Sequence, residues 1–162
     1  MSASQPSLIF TCNSLKELSA YDALTLFQLR QNVFILEQQC LYPDLDELDF
    51  DAWHVQAHNA EQVLVAYLRI LAPGVRYEEP AIGRVAVDAA YRRQGFGTAL
   101  LSESVTLVKR LYPESDIKLS AQTYTLSMYE SVGFEAVGAV YLEDEIPHQA
   151  MVLRLPSERS PV

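Results

Sequence analysis

The feature that most constrains this chain is an abrupt junction. An apolar strand pattern, Ile82–Val87, soon reaches Arg92-Arg93-Gln94-Gly95-Phe96-Gly97-Thr98, and a helical pattern begins at once. Leu100, Leu101, Ser104, Val108 and Leu111 fall at helical spacing, and Pro113 lies just past the end. A helix N-terminus offers unpaired N–H donors and the positive end of a macrodipole. Glycines let a ligand approach the backbone, and two arginines add charge, which together suit a pyrophosphate. Other phosphate motifs fit poorly. No Gly-Lys-[Ser/Thr] is present, which excludes a P-loop, and a dinucleotide fingerprint would want glycine at Leu100.

Around this junction the hydrophobic period keeps switching. Ser7–Cys12 reads as a strand, and Ser19 caps a helix from Ala20 to about Val33. Trp53–His58 and Val63–Leu71 form a hairpin across the polar Asn59–Gln62, followed by the Pro/Gly/Glu-rich Pro73–Pro80. Ile117–Ala121 is a strand and Thr123–Val132 a helix ended by Gly133. Ala136–Leu142 and His148–Leu155 close the chain as a hairpin over the turn around Glu143–Pro147. The expected fold is α+β, a central mixed sheet with helices on both faces. At 162 residues the chain suits one domain, 1–162, with tails at 1–6 and 156–162.

The charge balance narrows the partners. Residues 1–81 carry four basic and eleven acidic side chains, residues 82–162 eight and ten, for a total of -9. An acidic chain repels phosphate backbones, so no nucleic-acid partner is expected and a cationic small substrate or peptide is favoured. The longest charge-free apolar stretch, Leu119–Tyr129, has eleven residues, short of the roughly 18 of a membrane span. The first residues lack the basic region of a secretory signal. Two cysteines without CxxC spacing fit a reducing cytoplasm.

Arg92 to Gly97 forms Arg-x-x-Gly-x-Gly. This resembles the acyl-CoA pyrophosphate loop of the GNAT family of N-acetyltransferases. Downstream, Gln122-Thr-Tyr-Thr-Leu-Ser-Met-Tyr129-Glu-Ser-Val-Gly133-Phe134 resembles that family's second block, with Gln122 for the usual Asn and Thr125 for the usual Ala. LRQNVFILEQQCLYPDLDELD, the hairpin from His54 and EDEIPHQAM are similar to the ElaA-type branch, and the resemblance runs from about Leu24 to Leu155.

The resemblance implies a GNAT fold and direct transfer of an acetyl group from acetyl-CoA, the cosubstrate, to an amine on a small molecule or peptide, with no metal. The strand Ile82–Val87 would splay from Ile117–Ala121, so that the backbone of Val85, Ala86 and Val87 meets pantetheine and an N–H at Val87 or nearby meets the oxyanion. Amides from Arg93 through Gln94, Gly95, Phe96 and Gly97 to Thr98, with the Arg92 side chain, would hold the pyrophosphate, and Gln122 and Met128 would border the pantetheine. Tyr129 stands where relatives carry the acid for the departing thiolate. Glu37 and His148 are both candidate bases, and both could instead be structural. A catalytically quiet acyl-CoA-binding module on the same fold is the rival reading, and monomer and homodimer both stay open.

Other residues have plainer readings. His54 and His58, four apart on a strand, would stand about 13 Å apart, which disfavours a metal site. Cys40 reads as a buried or half-buried thiol. Asp44, Asp46, Glu47, Asp49 and Asp51 read as a solvated loop or as a frame for a cationic acceptor. Arg84, Arg92, Arg93, Lys109 and Lys118 are expected around the phosphate side.

Overall fold

The computed structural model describes residues 7–156, so the expected tails lie outside the described residues, Pro156 apart. In chain order the elements are β1 Ile9–Ser14, α1 Ala20–Arg30, β2 Trp53–His58, β3 Leu64–Leu71, β4 Ala81–Val87 and α2 Phe96–Leu111, then β5 Ile117–Gln122, α3 Leu126–Val132, β6 Glu135–Glu143 and β7 Ile146–Leu153. One seven-stranded sheet runs β1-β2-β3-β4-β5-β7-β6. Its neighbours are antiparallel except β4 and β5, which are parallel. The fold is the mixed α+β architecture expected from the sequence. Among the described residues no helix is long and apolar enough to cross a membrane.

Local chemistry sets the element ends. Ser19 Oγ accepts the Asp22 amide at 3.0 Å and starts α1. Asn59 Oδ1 accepts the amides of Glu61 and Val63 at 3.1 and 3.0 Å, which closes the β2–β3 hairpin. Gly133 at φ 112 ends α3 in the left-handed region. Several bounds differ from the periodicity: β1 lies two residues later than Ser7–Cys12 and β7 two residues earlier than His148–Leu155. The first helix does not stop near Val33 but continues as a π-helical segment, Gln31–Glu37. The helix expected over Thr123–Val132 opens with a 3-10 turn, Thr123–Thr125.

Each face of the sheet has its own core. On one face Leu100, Leu101, Val105 and Val108 of α2 pack on Val55, Leu68, Ile117, Leu119 and Met151. On the other, Leu26 and Leu29 of α1 with Val33 and Phe34 pack on Leu64, Tyr67 and Ala86. Two bulges break the ladders. Between Tyr67↔Ala86 and Arg69↔Gly83, β4 carries one residue more than β3, and Arg84 sits there at φ 54. Between Val137↔Ala150 and Tyr141↔His148, β6 carries two residues more than β7, and Gly138 turns at φ 73.

The acidic run is only partly the solvated loop expected: Glu47 and Asp51 are exposed, but Asp44 and Asp49 are buried and Asp46 half-buried. Three of its members point at arginines. Buried Arg30 bonds Asp44 at 3.1 Å and Asp49 at 2.6 Å. Buried Arg69 bonds Asp46 at 2.7 Å and Asp49 at 2.9 Å. Arg84 reaches Asp44 at 2.8 Å and Asp46 at 3.3 Å. The Arg30 guanidinium also lies over Phe27 and Tyr67, 5.6 and 5.7 Å from their centroids. Buried His54 belongs to the same group. Its Nε2 meets the Asp49 carbonyl at 2.9 Å and its Nδ1 the Tyr67 hydroxyl at 2.7 Å, so Nε2 donates and Nδ1 accepts. Burial holds this imidazole below its ordinary pKa, in keeping with a neutral ring.

Burial raises the Asp49 carboxyl, but hydrogen bonds and charge from Arg30, with Arg69 and the Asp46 amide, outweigh it and hold the group at about 2. A depressed carboxylate stabilises the fold above its unfolded pKa and loses that contribution as pH falls through the folded value. Stability is therefore expected to fall between the ordinary 3.8 and about 2. Asp49→Ala leaves two buried arginines short of a partner. It should cost about 3–5 kcal/mol in urea unfolding and flatten that acid limb.

Candidate active site

A cavity of about 1030 Å³ opens where β4 and β5 part. The two strands share one ladder pair, Ala81↔Lys118, and diverge beyond it. On the β3 side the Asp88 amide bonds the Val65 carbonyl at 2.9 Å. By strand alternation the Val87 N–H and C=O then face the parted side. The Val87 carbonyl is taken by the Arg92 guanidinium, from Nε at 3.2 Å and Nη2 at 3.1 Å, while its N–H remains directed into the slot.

Past β4 the backbone forms an anion-binding concavity. Arg93 at φ 62 and Gly95 at φ 80 alternate in hand with their neighbours, which turns successive N–H groups inward, and α2 begins immediately after. Arg93, Gly95, Phe96, Gly97 and Thr98 line the cavity. A Cβ on Gly97 would stand 3.1 Å from Val87 Cγ2 and 3.2 Å from Met128 Sδ, so glycine lets the helix start close against the strand. These donors fit a pyrophosphate, and the parted edge of β4 fits the amide-bearing arm of coenzyme A.

Several expected residues stand elsewhere. Ala86 is buried in the α1-side core, and Gln94 is not among the cavity-lining residues. The Arg92 side chain, expected on the phosphate, is committed to Val87 and to Glu37, which it meets at both carboxylate oxygens, through Nη2 at 2.6 Å and also through Nη1. That hydrogen bond holds the Glu37 carboxyl below its ordinary range, so Glu37 is poorly placed as a base. Arg84 is absorbed by Asp44 and Asp46, and Lys118 pairs Glu79 at 3.7 Å, so neither serves the phosphate side. Arg93 has no ion-pair partner among the described residues.

The structure brings together Val85, Val87, Gln122, Met128, Tyr129 and His148 around the same cavity. Tyr129 is 7% exposed and packs edge-on against Phe134. Burial pushes its phenol well above the ordinary tyrosine range, with Tyr124 adding to the shift. His148 Nδ1 lies 2.7 Å from the Ile146 carbonyl, and Nε2 lies 3.7 Å from Glu143 Oε2. Gln122 pairs amide to amide with Gln38 at 3.3 and 3.4 Å, a reach that its extra methylene over asparagine allows. Cys40 is half-buried, borders the cavity and donates to the Asp144 carbonyl at 3.7 Å. Residues 37–40 therefore cross the cavity as a strap tied to Arg92, Gln122 and Asp144.

The sequence reading missed Arg76, Ser120 and Glu143, which also line the cavity. Ser120 carried a usable signal: it alternates with buried Leu119 and Ala121, which puts it on the face opposite their core. Glu143 beside a turn carried none.

Solved structures place the architecture among acyl-CoA N-acyltransferases. An acyl-CoA N-acyltransferase from Pseudomonas aeruginosa superposes with a TM-score of 0.84 at 39% identity, covering 91% of this chain and all of that one. The family model for the acetyltransferase (GNAT) domain matches residues 32–155, and the chain belongs to the GNAT acetyltransferase family, in its ElaA-type branch. The ElaA protein of Escherichia coli K12 is 39% identical over 137 residues, 83% of this chain and 89% of its own length. The crystal structure of Escherichia coli ElaA matches with a TM-score of 0.84 at 35% identity, covering 91% of this chain and all of that chain. A UPF0039 protein of Synechocystis is 40% identical over 131 residues, 81% of this chain and 85% of its own length.

Gly97→Val should lower acetyl-CoA affinity about tenfold or more in calorimetry, by pushing α2 off Val87 and Met128. Unchanged affinity in a folded variant would remove the 92–98 loop from cofactor binding.

Proposed function

We propose that the protein transfers the acetyl group of acetyl-CoA to an amine by direct attack. The reading is carried by one observation: the anion-binding loop, the parted edge of β4, the Tyr129 side chain and the His148 imidazole border a single cavity. Acetyl-CoA supplies a thioester carbonyl open to attack. The Val87 N–H, directed into the slot, is the donor for the charge that develops on the carbonyl oxygen. Loop amides from Arg93 to Thr98 and the Arg93 side chain, which has no ion-pair partner among the described residues, hold the pyrophosphate, and Arg92 ties the strap to the end of β4.

Proton handling divides between two residues. A tyrosine near ~10 and a thiol near ~8.5 differ by about 1.5 units, so full proton transfer from Tyr129 is uphill by roughly 2 kcal/mol, and burial widens that gap. Tyr129 therefore steadies the leaving thiolate by hydrogen bonding while keeping its own proton. An alkyl amine near ~10.4 is neutral in only about one molecule per few thousand at pH 7, so a proton acceptor is needed. Between the two candidates the local bonding favours His148. Its Nδ1 donates to the Ile146 carbonyl, which leaves the Nε2 lone pair free, whereas Glu37 is occupied by Arg92.

An amine panel followed by free-thiol release tests the reaction. Tyr129→Phe should lower kcat about ten- to hundredfold with acetyl-CoA affinity nearly unchanged, the scale of one hydrogen bond to a charged group. An unchanged rate would remove Tyr129 from the chemistry. Acetyl-CoA binding without amine-dependent thiol release would assign the chain to acyl-CoA-binding modules instead.

A further inference from the structure

We infer that Glu37 and Gln38 are an internal competitor of the cosubstrate: they hold the Arg92 and Gln122 side chains, and acetyl-CoA binds by displacing them. The inference rests on the cosubstrate of the transfer reading above and adds what sets its affinity.

Three groups that border the cosubstrate slot are already engaged. The Arg92 guanidinium, at the start of the anion-binding loop, meets both carboxylate oxygens of Glu37, through Nη1 and through Nη2 at 2.6 Å. Its Nε and Nη2 also cover the Val87 carbonyl, at 3.2 and 3.1 Å. An amide-bearing arm that adds to the parted edge of β4 pairs with such carbonyls, and Arg92 blocks this one. Gln122 gives its carboxamide to Gln38, at 3.3 and 3.4 Å in the two directions. Consecutive residues of the strap thus take one side chain from each wall of the slot, Arg92 just past β4 and Gln122 at the end of β5. Glutamine in place of the family's usual asparagine serves the strap here, since asparagine would fall one methylene short.

The magnitudes let the ligand win. The Arg92 and Glu37 side chains are 38% and 41% exposed, and an exposed ion pair contributes little to stability. The amide pair is longer than the roughly 2.9–3.0 Å of a good N–H···O bond. A pyrophosphate brings more charge and more acceptor oxygens than one carboxylate, and a guanidinium takes phosphate in the same forked geometry. The loop amides hold the anion beside Arg92 while the exchange takes place.

The strap is also built to let go. Gln39 stands at φ 51, a conformation uncommon for a residue with a side chain, and it follows closely on the π-helical segment Gln31–Glu37. The bond that closes that segment, from the Gln38 amide to the Val33 carbonyl, is long at 3.3 Å. Release of Arg92 and Gln122 frees this backbone to relax. The movement stays local, because Phe34 is packed in the α1-side core and Asp44 is fixed by Arg30 and Arg84.

Calorimetry of acetyl-CoA binding to the wild type, Glu37→Gln, Arg92→Gln and the double variant tests the inference. Glu37→Gln should tighten binding about fivefold, because Arg92 comes free. Arg92→Gln should weaken it about tenfold, and the double variant should match Arg92→Gln within about twofold, since nothing remains to be released. Gln38→Ala, which changes no charge, should tighten binding about two- to threefold. Unchanged or weaker binding in Glu37→Gln, an equal tightening with and without Arg92, or no gain in Gln38→Ala overturns the inference. Equal tightening in both backgrounds would make Glu37 a bystander charge near the phosphates. Amine-dependent thiol release separates the two readings. No release with any amine, while the Glu37 and Gln38 effects hold, would sink the transfer reading alone. Release with an affinity that these variants do not move would sink the competitor alone, and no acetyl-CoA binding by any of the proteins would sink both.

Discussion

The buried arginine–aspartate lattice under the acidic segment is the constraint on which the rest depends. Arg30 comes from α1, Arg69 from β3 and Arg84 from β4, and all three converge on Asp44, Asp46 and Asp49. A buried guanidinium is tolerable only where carboxylates complete its hydrogen bonds, so the segment between the π-helical turn and β2 has little freedom to lie elsewhere. Its net contribution to stability is small beside that of a hydrophobic replacement. Its value is geometric, since each bidentate contact fixes direction as well as distance.

That geometry reaches the cavity through Arg84. A non-glycine residue at positive φ is strained, and here two carboxylates and the Tyr42 ring, 5.5 Å from its guanidinium, hold it. The bulge it occupies lies where β4 leaves β5, so ion pairs on one face of the sheet help shape the opening that faces the cofactor. The same anchored segment continues back into the strap over residues 37–40. Charge in the acidic half of the chain thus organises the protein before any substrate arrives.

Much of this was legible from residue order. Alternation, caps and breakers gave the elements because they act within a few residues, and the glycine loop declared itself because few sequences put such residues between strand and helix. What escaped notice depends on distant partners. Asp44 and Asp49 look like solvated acids until Arg30 and Arg69 are folded over them. Glu37 and Arg92 each looked available, and each is occupied by the other. Glu143 reads as a turn residue because the bulge at Gly138, which sets where it pairs, has no signature beyond a glycine that could serve many purposes.

The single ladder pair between β4 and β5 also has a mechanical meaning. It divides the sheet into a four-stranded block, β1 to β4, and a three-stranded block, β5 to β7, each internally laddered and joined at the seam by one rung and by helices packed over both. Fewer ladder pairs resist separation along this line than along any other in the sheet, so it is the line along which local opening is expected first. A ligand lying along the exposed β4 edge would act as a splint across the two blocks.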